Sequence, residues 1–332
     1  MKLLVLVLLL IFHIEAKVIN WPFTRDLYYG NNVCYVNVSI GTPAQEFSVT
    51  VGITSWVPSL FMRNYLTDGY GFDKSASSTY KQTGVFHDVV NKTWGITGTD
   101  NVVIANHVLE TEKSLAIDTT NRFYEEETGV LSFAQPIDGS TSFIQSILTE
   151  VDSPVVVFTT FSPDLNSGVI TLGGRAPDRC ANDWSNLPQQ PISTINNFEW
   201  EVAVNEFSFG KYTFDKPGVA SFHLESNEYI FVPYTYQKQI MKTLGTYDEF
   251  QAPCNSTAEF VFKFGDFELR LTPSDYLFPL YGNSEWCSLG ILSKPELVSD
   301  NEFWFGFLVF KKLCLSLDYA NTTVGLATRV FN

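Results

Sequence analysis

Positive charge is scarce in this chain. Lys and Arg total 21 against 36 Asp and Glu over 332 residues, a formal net charge of -15. A surface of that sign repels phosphate backbones and anionic headgroups, which argues against nucleic acid and anionic membrane as partners. It suits a soluble exported protein. Histidine is scarcer still, with 4 in all, and His13 falls in the N-terminal apolar run. No H-E-x-x-H and no C-x-x-C occurs, so metal-ligand spacing is missing and no metal is expected. No G-x-S-x-G and no phosphate-binding Gly loop occurs either. No cofactor is expected. Beyond the N-terminal run, no apolar stretch approaches the ~20 residues of a membrane helix.

Aromatic residues are plentiful. Phe 28 and Tyr 15 point to β-structure, because such rings pack well on pleated faces. The length suffices for one large domain or two lobes. Residues 1–16 read as a signal peptide: Lys2 is the basic start, Leu3 to Phe12 the apolar core, Ala16 the small residue at the cleavage point. The mature chain is expected to be secreted, with lysosome or gut lumen as possible destinations. Five cysteines follow, Cys34, Cys180, Cys254, Cys287 and Cys314, an odd count in an oxidising compartment. Sequons at Asn37, Asn91, Asn255 and Asn321 fit a glycoprotein.

Several motifs occur in order along the chain. Ile40-Gly41-Thr42-Pro43-Ala44-Gln45 is a turn between two alternating runs, and Val33 to Val51 reads as a β-hairpin. Trp56-Val57-Pro58-Ser59 follows. Then come Phe72-Asp73-Lys74-Ser75-Ala76-Ser77-Ser78-Thr79-Tyr80, Gly98-Thr99-Asp100, and Thr128-Gly129-Val130-Leu131-Ser132-Phe133. Ser167-Gly168-Val169-Ile170-Thr171-Leu172-Gly173-Gly174 leads toward the second half. Asp318-Tyr319-Ala320 through Val324-Gly325-Leu326-Ala327 closes the series. Together they resemble the pepsin-like aspartic proteases, peptidase family A1. The resemblance implies an all-β, bilobal fold with a central cleft. It divides the chain into residues 1–16 (signal peptide), 17–32 (a short segment with no room for a prosegment), 33–174 (N-terminal lobe) and 175–332 (C-terminal lobe). It also implies disulfides Cys254–Cys287 and Cys180–Cys314, with Cys34 left over as a buried small residue.

The family's catalytic centre is what the resemblance does not reproduce. Its two Asp-Thr-Gly loops hold a pair of carboxyls that share one proton and activate a water. Gly52 stands where the first Asp belongs. At the second loop, alignment from Ala220 puts His223 at the Asp position, and alignment back from Pro233 puts Leu224 there. The flap's Tyr-Gly tip is replaced near Asp88, and a glycan at Asn91 would lie close to it. Thr54, Trp56, Asp88, Phe222 and Glu225 are candidate cleft-lining residues, with Trp94 and Tyr229 as further aromatics. His223 and Glu225 share a strand face.

The implied protein is therefore not an enzyme but a secreted, proteolytically inactive homologue. It would be a monomer that binds a peptide, protein or glycan. A weak or atypical aspartic-type endopeptidase using Glu225, His223 or Asp88 is the alternative, and a storage or structural glycoprotein is the third reading.

Overall fold

The computed structural model describes residues 17–25, 33–53, 60–63, 71–88, 93–118, 128–135, 142–161, 166–176, 178–190, 199–214, 218–224, 229–246, 250–280, 285–292 and 302–330. The fold is all-β, as expected, with three short α-helices among the described residues. A 15-stranded sheet runs through the molecule. Its middle pairs Ile19–Arg25 with both Ser167–Leu172 and Cys34–Ile40. Strands from beyond residue 174 join the same sheet, because Val155–Thr160 pairs with Leu313–Asp318, which pairs with Thr323–Thr328. Alternation explains the burial: Ile19, Trp21, Phe23 and Arg25 point inward while the residues between them are exposed.

The expected hairpin forms. Cys34–Ile40 and Gln45–Gly52 run antiparallel, with Ile40 opposite Gln45. The turn needs glycine at Gly41, where φ is +89° and an added Cβ would sit 2.7 Å from Ser77 Oγ. Gln45 ties the turn to the next motif: its Nε2 donates to the Asp73 carbonyl at 2.9 Å, and the Asp73 N–H donates to its Oε1 at 2.9 Å. Ser77 and Thr79 donate to the two oxygens of Asp100 at 2.8 and 2.6 Å, and Asp100 is fully buried. Three motifs far apart in sequence thus form one hydrogen-bonded unit. That unit anchors the hairpin of Lys81–Asp88 with Thr93–Asp100.

The second half holds its core with aromatic rings. Phe207 stacks on Phe262 at 4.7 Å, and Phe262 meets Phe305 edge-on at 4.9 Å. Cys180–Cys314 and Cys254–Cys287 are both disulfides, and Cys34 is buried in its strand. Closing the 33-residue loop between Cys254 and Cys287 is worth about 3–4 kcal/mol in the chain-entropy model. Replacing both cysteines by alanine is expected to lower unfolding free energy by that amount, read from urea denaturation with the m-value monitored.

Candidate functional site

Two four-strand units repeat the same arrangement. In the first, Gln45–Gly52 lies parallel to Gly129–Ser132. That strand is antiparallel to Leu60–Arg63, which is parallel to Lys113–Asp118. In the second, Gly218–Phe222 lies parallel to Glu302–Phe305. That strand is antiparallel to Ile230–Phe231, which is parallel to Ile291–Leu292. Gly52 is opposite Ser132. Phe222 is opposite Phe305, so one step further His223 falls opposite Gly306. The ladders make Gly52 and His223 equivalent, in keeping with the alignment that starts from Ala220. Each position is held by backbone: the Phe133 N–H donates to the Gly52 carbonyl at 2.8 Å, and the His223 N–H donates to the Phe305 carbonyl at 2.9 Å.

A bond network joins the two units. The buried Phe133 carbonyl accepts from Trp200 Nε1 at 2.9 Å and from the Tyr319 hydroxyl at 2.6 Å. The two donor rings meet edge-on at 5.1 Å. Burial pushes the Tyr319 phenol far above its ordinary pKa, so it stays a neutral donor.

His223 belongs to a polar group on one face of the second unit. Ser221 and His223 are two apart on one chain and share that face; Ser221 Oγ and His223 Nε2 are 2.8 Å apart. The Trp304 ring lies 4.8 Å from the imidazole, and its Nε1 donates to Glu302 Oε1 at 2.6 Å. Glu201 is directly opposite Ser221. One carboxylate oxygen from each of Glu199, Glu201 and Glu302 lies within 4.8 Å of the others. Glu199, Glu201, Ser221 and His223 are all buried; Glu302 and Trp304 are half-buried.

Burial raises the Glu201 carboxyl first, and the charges of Glu199 and Glu302 raise it further, against a smaller opposing effect from His223. Its pKa stands at about 7, from an ordinary 4.5. Sequence reading missed Glu199, Glu201 and Glu302. The signal available was the alternation Glu199-Trp200-Glu201-Val202, which puts both carboxylates on one face and both apolar groups on the other. Glu302 joins them only through strand register.

The other expected residues separate. Thr54, Trp56, Glu225 and Asn91 lie outside the described residues. Asp88 ends its strand, opposite Thr93. Phe222 is corrected: it does not line a cleft but is fully buried, with the Phe305 ring at 5.7 Å. The reason is the two-residue period, which turns Phe222 to the face opposite Ser221 and His223. Asn37 is exposed within a strand, and Asn255 and Asn321 are exposed at turns.

Two measurements follow from this geometry. Folded protein keeps a proton on Glu201 between about pH 4.5 and 7, where the unfolded chain has released it, so stability falls as pH rises through that window. Glu201→Gln removes the titration. Urea midpoints are expected to show the variant ahead of the parent by roughly 2–3 kcal/mol above pH 7, with the gap closing below pH 5. At the joint, Tyr319→Phe alone is expected to cost about 1 kcal/mol, since Trp200 still serves the carbonyl. Combined with Trp200→Phe, the loss should exceed the sum of the two single losses, because the buried carbonyl is then left without a donor.

Comparison with known proteins places these features. Residues 34–329 match the family model described as eukaryotic aspartyl protease. Gastricsin of Macaca fuscata fuscata is 24% identical over 335 residues, covering 92% of this chain and 86% of the relative. Gastricsin of Oryctolagus cuniculus is 26% identical over 319 residues, covering 87% and 80%. Chymosin of Camelus dromedarius is 25% identical over 342 residues, covering 95% and 85%. The expectation that this chain is no enzyme is corrected by these matches, which align most of it with the eukaryotic aspartyl protease model and with gastricsins and chymosin. The physical reason is that Gly52 and His223 speak only for their own side chains. They do not exclude hydrolysis by groups beside them, and Ser221, opposite Glu201 on the neighbouring strand, is hydrogen-bonded to His223. With the matched span, the repeated strand units and the motif order in agreement, the chain belongs to the eukaryotic aspartyl protease family.

Proposed function

We propose that this protein is an exported member of the family that binds polypeptide in extended form across the junction of its two strand units. One observation carries the reading: Gly52 and His223 close equivalent ladders, and the Phe133 peptide group holds those ladders together. A junction fixed by backbone bonds on both sides is preorganised, and preorganisation lowers the ordering cost of binding. An extended chain suits it, because an extended chain presents its own N–H and C=O groups to neighbouring backbone. Gly52 adds no side chain on the first side. His223, with Ser221, supplies a donor and an acceptor on the second.

The side chains at these two positions do not form a couple of carboxyls sharing a proton. Cleavage by this chain therefore draws on groups other than such a couple. The N-terminal apolar run supports export, in line with the acidic surface and the two disulfides.

Immobilised protein is expected to retain reduced, carboxymethylated polypeptide saturably and to pass over the same polypeptide in its native fold. Pepstatin is expected neither to displace it nor to change the yield of any cleavage of denatured haemoglobin between acid and neutral pH. Failure to retain the unfolded polypeptide overturns the binding reading, and retention of glycans alone replaces it. Pepstatin-sensitive cleavage above a mock preparation overturns the assignment of Gly52 and His223 to the two acid positions.

A further inference from the structure

We infer that the buried carboxylate group beside His223 is a recognition site for a basic side chain, lysine or arginine, of the bound polypeptide. The inference rests on the polypeptide-binding reading and adds the chemical class of residue selected.

The site is mixed rather than merely acidic. Glu302 and Trp304 stand half-exposed at its edge, with the indole N–H committed to Glu302. Ser221 and His223 form one wall. Glu201 points into this group, its oxygen within 4.8 Å of those of Glu199 and Glu302. Glu201 is only 3% exposed, and among the described residues its side chain has neither a hydrogen bond nor an ion pair. No Lys or Arg among the described residues forms an ion pair with Glu302 either. Burying a carboxylate this deeply costs free energy, and a second and third carboxylate alongside raise the cost.

An incoming ammonium or guanidinium group answers both costs. It brings several donors and one positive charge to a place rich in carboxylate acceptors. The apolar stem of Lys or Arg suits the aromatic edge at Trp304 while the head goes inward. The charged groups facing Glu201 are Glu199, Glu302 and His223. As pH rises through about 7, Glu201 ionises, which strengthens attraction for a cation. Selectivity for basic residues therefore grows from mildly acid to mildly alkaline pH.

The test uses the full mature chain and two matched peptide pools. The pools are random except for one central position, lysine in one and norleucine in the other. Charge-assisted hydrogen bonds of this kind correspond to about tenfold tighter binding or more. The lysine pool is expected to bind about tenfold tighter at mildly alkaline pH, with a smaller ratio at mildly acid pH. In Glu201→Gln the ratio is expected to fall below about threefold. Glu302→Gln, whose side chain is half-exposed, is expected to reduce it too, and serves if the first variant does not fold. Equal binding of both pools overturns the inference and leaves polypeptide binding standing. Binding of neither pool overturns both. An unchanged ratio in both variants also overturns it. So does a Ca²⁺- or Zn²⁺-induced rise in melting temperature that depends on Glu201, which would make the group a metal site.

Discussion

The peptide group of Phe133 is the point on which the two halves turn. Its N–H is spent on Gly52, within the first strand unit. Its carbonyl takes two donors from chain far along the sequence, the Trp200 indole and the Tyr319 phenol. The Phe133 carbonyl and the Trp200 indole are buried, so their bond is costly to leave unmade. The consequence is positional. Trp200 lies between Glu199 and Glu201, so the bond that joins the halves also fixes the strand that carries two of the three clustered carboxylates. Ser132, one residue before Phe133, is opposite Gly52. This one link sits where the two strand units meet.

The two sides of that junction differ in chemistry although their ladders match. On the first side the strand ends in a residue with no side chain. On the second it is followed by an imidazole with a hydroxyl, an indole and three carboxyl groups nearby. Beneath them the aromatic core of the second half keeps Phe222 and Phe305 away from the junction, and the strands that bear Ser221 and Trp304 are held in register as a result. Charge is concentrated on one side, and the energetic burden of burying it is largest at Glu201. Functional sites commonly carry local costs of this sort, borne by a well-packed scaffold.

Much of the fold was legible because its motifs are local devices. Gly41 and Gln45 announce a turn through a positive φ and a two-way amide clamp on Asp73, and both constraints act within a short reach of chain. The Ser77-to-Thr79 run is similarly readable, since its hydroxyls and Asp100 make one compact network. The site was less legible. The second loop admitted two alignments, and only the parallel register of Gly218–Phe222 with Glu302–Phe305 separates His223 from Leu224. The carboxylate group comes from two strands some hundred residues apart in sequence, a proximity that no local pattern encodes. Phe222 was misplaced for a simpler reason: strand alternation, applied from His223 backwards, already sends it to the core.

The most direct test is a crystal structure of the full mature chain with a bound lysine-containing peptide. The account requires the peptide to lie extended over Gly52 and His223, with its lysine ammonium against Glu201 and Glu302. A peptide found elsewhere on the molecule, or one crossing the junction with its lysine turned to solvent and an apolar side chain at Glu201, would contradict it.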